Sequence, residues 1–118
     1  MIRVLSFVIA VFSAGFLQAE TASNTLLKAI LAPAEEAELA SFLWKNRLIV
    51  VFADSNADPR FVEQVELLAE RSSDLAERDV IIVLDANPAA KTSLREKFRP
   101  RGFTLMLIGK DGQAYLRK

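Results

Sequence analysis

Three hydrophobic runs separated by polar loops organise the chain after its first forty residues. The runs are Leu48 to Ala53, Asp79 to Leu84 and Phe103 to Ile108, each of strand length and rich in β-branched or aliphatic residues. Continuous apolar runs of this length are typical of strands covered on both faces. The pattern therefore predicts a central strand over the first run, a second buried strand over the second run and a third strand over the last.

An amphipathic helix is predicted between the first two runs. Asp58 followed by Pro59 is a typical helix start, because Asp caps the first turn and Pro fits its first position. Apolar positions then recur at spacings of three and four, which places them on one stripe. They are Phe61, Val65, Leu68, Ser72 and Leu75. Strand, helix and strand together form a β-α-β unit, whose strands should be parallel with a right-handed crossover.

The remaining segments complete the predicted order of elements. A short helix is expected from Pro88 through Phe98, and the sequence GKDG forms a tight turn into an antiparallel strand over Gln113 to Arg117. Before the first strand, residues 25–43 suggest helical turns, with Pro33 at a first-turn position.

The first nineteen residues have the composition of a secretory signal peptide. One early Arg3 precedes an apolar run from Val4 to Phe12, and small residues lead to Ala19. We expect residues 1–19 to be the signal, 20–43 a leader and helical segment, and 44–118 the folded domain, in a periplasmic or secreted protein. An uncleaved signal anchor is the alternative.

The composition excludes several kinds of chemistry. The chain has no cysteine and no histidine, which rules out thiol redox catalysis, iron–sulfur clusters and thiolate zinc sites. Any enzyme would have to use Asp, Glu, Lys, Arg or Tyr. Asp54 to Asp58 begins with the oxygen spacing of a calcium loop, but Pro59 stands where glycine is needed and Val65 where a Glu belongs. We expect no cofactor and no metal.

The order β-α-β, helix, β-hairpin resembles that of thioredoxin, and Arg101 to Gln113 (RGFTLMLIGKDGQ) resembles the thioredoxin segment around the cis-proline. Thr104 falls at that proline, as is common in peroxiredoxin-like proteins. The segments WKNRLIVVFADSNADPRF, LAERDVIIVLD, LREKF and LIGKDG are similar to a domain of unknown function with a peroxiredoxin-like fold. That family occurs in exported bacterial proteins and in vertebrate sushi-repeat matrix proteins.

The resemblance implies an α/β, thioredoxin-like fold in an extracytoplasmic setting, and it implies no reaction. Neither Cys-x-x-Cys nor Thr-x-x-Cys follows the first strand. Such domains usually continue into a last helix, which this chain is expected to lack. The hairpin would then keep apolar surface exposed unless Thr25 to Ile30 or a partner covers it.

Polar side chains at the carboxyl edge of the parallel strands form the candidate pocket, because ligands in open α/β sheets bind at that edge. Its residues are Asp54, Ser55, Asn56, Asp85 and Thr104. Asp54 and Asp85 could share a proton or hold a cation. The alternative is that they are turn-forming residues at strand ends.

Charge is unevenly distributed. Glu20 to Ala90 carries six basic and thirteen acidic residues, whereas Lys91 to Lys118 carries eight basic and two acidic. The basic segment predicts a patch for an anionic partner, and the alternative is that the two halves neutralise each other. The patch comprises Arg95, Lys97, Arg99, Arg101 and Lys110, and a structural Arg-Asp clasp is expected from Arg47, Arg78 and Asp79.

These patterns together predict an exported, thioredoxin-like domain that binds or interacts without catalysis. The partner would be an envelope or extracellular protein or an anionic polymer, with no nucleic acid and no membrane span after signal cleavage. A cysteine-free enzyme using Asp54, Asp85 and Thr104 at the sheet edge is the alternative.

Overall fold

A single five-stranded sheet forms the centre of the protein. The computed structural model describes residues 25–118. The strands lie in the order β1-β3-β2-β4-β5. They are β1 (Leu31–Pro33), β2 (Arg47–Phe52), β3 (Val80–Asp85), β4 (Thr104–Ile108) and β5 (Ala114–Arg117). Residues 25–30 are helical, and the α-helices that follow are α1 (Leu39–Phe42), α2 (Pro59–Glu70), α3 (Ser72–Glu77) and α4 (Ser93–Phe98), with a 3₁₀ turn over Pro88–Ala90 before α4.

The predicted parallel pair is confirmed. β2 runs parallel to β3 from the pair Arg47 and Val80 to the pair Phe52 and Asp85. The β2 positions after Arg47 are all buried, as expected of a strand with both faces covered. β4 pairs antiparallel with β2 and with β5. The arrangement confirms the thioredoxin-like α/β fold predicted from the sequence.

Strand β1 was not predicted. Leu31–Pro33 pairs parallel with Ile82 to Leu84 of β3, so a segment expected to be helical is an edge strand. Pro33 ends this strand instead of opening a helix, which suits an edge position because proline has no N–H to donate to a ladder. The sheet therefore begins well before residue 44.

The predicted amphipathic helix forms, with a break. Asp58 caps α2 by accepting a hydrogen bond from the Arg60 backbone N–H at 2.9 Å. Phe61 and Leu68 of α2 are buried against the sheet. The helix ends at Glu70, and α3 continues the crossover toward β3. The buried Ser72 at the start of α3 keeps the predicted stripe facing inward.

Helices cover the two faces of the sheet unequally. On one face, α1 and α4 pack against a core that includes Leu48, Phe52 and Met106. On the other face, α2 and α3 pack on β2 and β3. The cross-strand neighbours Ile49, Leu107 and Leu116 lie on this second face, beyond the two helices.

The helical residues 25–30 do not cover the part of the sheet around Ile49, Leu107 and Leu116. Ile30 is buried in the same core as α2 and leads directly into β1. Because β1 is the edge strand opposite β5, this segment lies at the far side of the sheet. The signal peptide predicted over residues 1–19 lies outside the described residues. None of the helices in residues 25–118 combines the length with the apolar composition of a membrane-spanning segment.

Candidate functional site

A buried ion pair occupies the carboxyl edge of β2 and β3. The Asp85 side chain at the end of β3 is 2 % exposed, and Arg95 of α4 is 10 % exposed. Asp85 Oδ1 accepts from Arg95 Nε at 2.8 Å and from the Asn87 backbone N–H at 3.3 Å. Asp85 Oδ2 accepts from the Thr92 hydroxyl at 2.6 Å. Both carboxylate oxygens therefore already have protein partners.

The guanidinium of Arg95 also joins the ends of the two central strands. Its Nη2 donates to the carbonyl oxygens of Ala53 at 2.6 Å and Asp85 at 2.9 Å. The same group lies 5.4 Å from the centre of the Phe52 ring. Arg95 therefore ties α4 to the carboxyl ends of β2 and β3, and it does not lie on the surface patch that was predicted to include it.

The other predicted pocket residues differ in accessibility. Asp54, Ser55 and Asn56 are exposed in the loop after β2, and the Ser55 hydroxyl oxygen accepts from the Ala57 backbone N–H at 3.0 Å. Thr104 is buried. Arg95 and Thr92 already hydrogen-bond the Asp85 carboxylate. Neither of its oxygens is therefore left unbound for the predicted pairing with Asp54.

The predicted clasp residues Arg47, Arg78 and Asp79 lie close together, but their interactions differ from those expected. Arg47 Nη1 donates to the Arg78 carbonyl oxygen at 2.8 Å, which links the starts of β2 and β3. Asp79 instead forms an ion pair with Lys110, with 3.0 Å between Nζ and Oδ2. The predicted basic patch thus has Arg95 inside the fold and Lys110 paired. Its remaining members, Lys97, Arg99 and Arg101, are exposed.

An open apolar cavity lies at the opposite, amino edge of β2. It has a volume of about 580 Å³. We call it the hairpin groove, defined by Trp44, Arg47, Ile49, Val80, Leu107 and Tyr115. A cavity of this size with mostly apolar walls falls within the range of small-molecule sites.

Two exposed aromatic residues flank the groove. Trp44 is 75 % exposed and Tyr115 is 67 % exposed. The Trp44 backbone N–H donates to the Lys110 carbonyl oxygen at 2.7 Å, which fixes Trp44 beside the β4–β5 turn. The Tyr115 ring lies over Gly109, where an added Cβ would come within 2.5 Å of Cε2. Only glycine at position 109 leaves room for the ring in this orientation.

Tyr115 and Asp111 form a hydrogen-bonded pair at the rim of the groove. The Tyr115 hydroxyl donates to Asp111 Oδ2, and the Gln113 backbone N–H donates to Asp111 Oδ1 at 3.0 Å. The hydrogen bond from Tyr115, followed by that from Gln113, lowers the pKa of Asp111. The same contact with Asp111 raises the pKa of Tyr115. Asp111 is therefore ionised and Tyr115 neutral at neutral pH.

Sequence reasoning missed Trp44 and Tyr115 as site residues. The signal that could have found them was the apolar face of the hairpin, which was expected to stay exposed in the absence of a covering element.

Comparisons with known proteins assign no activity to the chain. The model of one family, described as a domain of unknown function (DUF4174), matches residues 38–118. No curated protein is similar enough in sequence to match the chain. The matched residues contain every member of the hairpin groove and the Arg95–Asp85 pair.

Proposed function

Because the chain belongs to the DUF4174 family, a domain of unknown function, we propose from the site itself that it is an exported binding module without catalysis, which takes its partner on the hairpin groove. The observation that carries this proposal is the conformation and exposure of Trp44. Its φ angle is 62°, in the left-handed region, and three-quarters of its surface is exposed.

This position of Trp44 is unfavourable for the fold by itself. The left-handed region costs a non-glycine residue about 1–2 kcal/mol, and glycine or asparagine would adopt it more readily. An exposed tryptophan recovers little of that cost by burial in the free protein. Tryptophan and tyrosine are enriched at binding surfaces, where they contribute large apolar area. A bound partner would bury Trp44 and Tyr115 together.

The contacts at the carboxyl edge support the non-catalytic part of the proposal. The Asp85 carboxylate, the group most enclosed there, is held by Arg95 and Thr92. A general acid or base needs a proton that it can exchange with a bound substrate. The hydrogen bonds of Asp85 serve the packing of α4 on the sheet instead.

Binding of an uncharged apolar dye tests the groove. We expect the folded protein to bind Nile red saturably, with emission that rises on binding. Trp44→Asn and Leu107→Gln should each weaken binding about tenfold or more, since each removes a wall of the groove. Val62→Gln is the matched control, because Val62 on α2 is 43 % exposed and Leu107 is 37 % exposed.

Circular dichroism of each variant establishes that the fold is retained. Absence of saturable binding to the folded wild-type protein would contradict the proposal. An equal loss in Val62→Gln would contradict it as well, because the dye would then be reporting general surface hydrophobicity.

Export is proposed from the signal-like composition of residues 1–19. The intact mass of the protein recovered from the periplasm or medium should correspond to a chain beginning at Glu20. A cell-associated product that retains Met1 would favour the signal-anchored alternative. The partner would then be sought on the membrane surface.

A further inference from the structure

We propose that the hairpin groove is the interface of a symmetric homodimer, so that the partner it takes is a second copy of this chain. This inference rests on the proposed binding function and names the partner. It follows from the position of the exposed apolar side chains, from the signs of two unpaired charges in the groove, and from the area that two copies would bury.

Exposed apolar surface is concentrated at the groove. Of the seven large apolar side chains that are exposed in residues 25–118, four lie in the groove or directly beside it. They are Leu43, Trp44, Leu107 and Tyr115. Leu43 contacts the β4–β5 turn, since a Cβ added at Gly112 would come within 2.7 Å of its Cδ2. Apolar patches of this kind mark interaction surfaces.

Two charged side chains that line the groove have opposite signs and no ionic partner among residues 25–118. Arg47 hydrogen-bonds a backbone carbonyl oxygen, and no described carboxylate lies within ion-pairing distance of it. Asp111 is ionised, and its hydrogen-bond donors are a tyrosine hydroxyl and a backbone N–H, which are both neutral. Lys110 is already paired with Asp79. The groove therefore presents one unpaired cation and one unpaired anion.

This balance of charge favours a second copy of the same surface. In a two-fold interface, residue i of one copy meets residue j of the other, and the same contact forms again with the copies exchanged. Arg47 of each copy would meet Asp111 of the other, so both charges are satisfied twice. A partner that carried charge of one sign would leave either Arg47 or Asp111 facing a like charge.

The position of the groove in the sheet leaves it open to a second copy. β5 is an edge strand, so no further strand of the sheet lies beyond Tyr115. The register of β4 and β5 shifts between Leu107 and Ile108, and such irregularities protect an edge from pairing with another strand. We therefore infer contact through the side chains of the two grooves, without pairing of two β5 strands.

The exposed aromatic surface fits a small dimer interface. Trp44 and Tyr115 expose 75 % and 67 % of their surfaces. Because an aromatic side chain buries about 150–250 Å², these two residues from each of two copies would bury roughly 400–700 Å². The leucines and the groove walls add to this area, which places the interface near the roughly 1,200 Å² lower limit of specific complexes. We expect a weak dimer, with a Kd of about 10–100 μM.

Sedimentation velocity of the full mature chain at low ionic strength tests the inference. Between about 1 μM and 1 mM protein, we expect a transition from monomer to dimer. Since the chain has one tryptophan, the emission of Trp44 should shift to shorter wavelength with the same midpoint. Trp44→Asn should weaken self-association about tenfold or more. Val62→Gln, which changes an exposed apolar side chain on α2, should leave it unchanged.

Two charge-reversal variants test the two-fold contact directly. Arg47→Asp brings two carboxylates together at each contact, and Asp111→Arg brings two guanidinium groups together. Each variant alone should self-associate about tenfold more weakly than the wild-type protein. An equimolar mixture should form dimers again, because opposite charges then meet at both contacts. Added salt should reduce this rescue. Arg101→Asp reverses an exposed charge outside the groove and is the control.

The outcomes distinguish this inference from the proposed function. Nile red is titrated below about 10 μM protein, where the groove of the monomer is free. A protein that binds the dye and stays monomeric to about 1 mM would overturn the dimer and leave the binding function in place. A dimer that survives both charge reversals, or folded variants whose mixture does not associate, would also overturn it.

Circular dichroism shows whether each variant is folded. If a charge-reversal variant unfolds, Trp44→Asn decides the question, and unchanged self-association of that variant would overturn the inference. If the wild-type protein neither self-associates nor binds Nile red, both the inference and the proposed function fall.

Discussion

Replacing Arg95 with methionine should cost the protein much of its stability. Methionine keeps an unbranched, flexible stem, is shorter than arginine, and removes its charge and donors. The change leaves Asp85 as a buried carboxylate with a side chain 2 % exposed. Removal of one partner from a buried ion pair typically costs about 3–5 kcal/mol, because the other charge remains uncompensated.

The neighbouring contacts place the expected cost within that range. Arg95 also donates to the carbonyl oxygens of Ala53 and Asp85, and these groups lose a charged donor. Against this, the Thr92 hydroxyl and the Asn87 N–H still hydrogen-bond the carboxylate. We therefore expect a loss of about 4 kcal/mol for Arg95→Met. Arg95→Lys keeps the charge and should lose less.

Urea unfolding followed by far-ultraviolet circular dichroism measures this change. Arg71→Met is the matched control, because Arg71 pairs with Asp74 at 3.8 Å on the surface, with 75 % and 57 % of the side chains exposed. Its expected cost is below about 0.5 kcal/mol. A small domain has only about 5–15 kcal/mol of stability, so Arg95→Met can also unfold outright.

A double-mutant cycle with Asp85→Asn isolates the coupling between the two side chains. We expect a coupling energy of at least about 1 kcal/mol, since the residues share a buried network. A cost of Arg95→Met below about 1 kcal/mol, or additivity of the two substitutions, would refute the argument that the pair fastens α4 to the strand ends. Unfolding of Arg95→Met while Arg71→Met stays folded would support it.

Three further predictions concern local contacts and use the same unfolding assay. Asp58→Ala removes the N-cap of α2 and should cost about 1 kcal/mol. Gly112→Ala should cost about 1–2 kcal/mol, because φ is +82° and the new Cβ would meet Leu43 Cδ2 at 2.7 Å; no loss would show that the turn tolerates a side chain. The hydrogen bond from Tyr115 lowers the pKa of Asp111, so this carboxylate contributes stability above its unfolded pKa, and that stability is lost as pH falls through its folded pKa. The same hydrogen bond raises the pKa of Tyr115, so the neutral hydroxyl contributes stability that is lost as pH rises through its folded pKa. Asp111→Asn should flatten both limbs, and an unchanged pH profile would contradict this.

The β-α-β unit and the hairpin were predictable because their signals are local. The period of the apolar stripe, the Asp58 cap and the GKDG turn each lie within a few residues of the element that they specify. Strand β1 has no such signal. Its three residues become a strand by pairing with β3, and tertiary pairing decides short segments more than intrinsic propensity does.

The burial of Arg95 could not be inferred from its surroundings in the sequence. It lies in the segment SLREKF, where charged neighbours predict a solvated helix face. Its position inside the fold depends on Asp85, ten residues away across a turn. The available signal was the cap Thr92, whose hydroxyl oxygen accepts from the Arg95 backbone N–H at 3.3 Å and so fixes the start of α4.

The carboxyl and amino edges of the sheet differ in the contacts that a bound ligand would have to displace. At the carboxyl edge, Arg95 donates to the carbonyl oxygens of Ala53 and Asp85, so a ligand that reached the Asp85 carboxylate would have to displace a buried ion pair. At the amino edge, Arg47 makes one backbone contact and lies beside an open apolar cavity. Binding at the amino edge requires no such displacement. A ligand in the hairpin groove would therefore avoid the cost of breaking a buried ion pair, which a ligand bound to Asp85 at the carboxyl edge would incur.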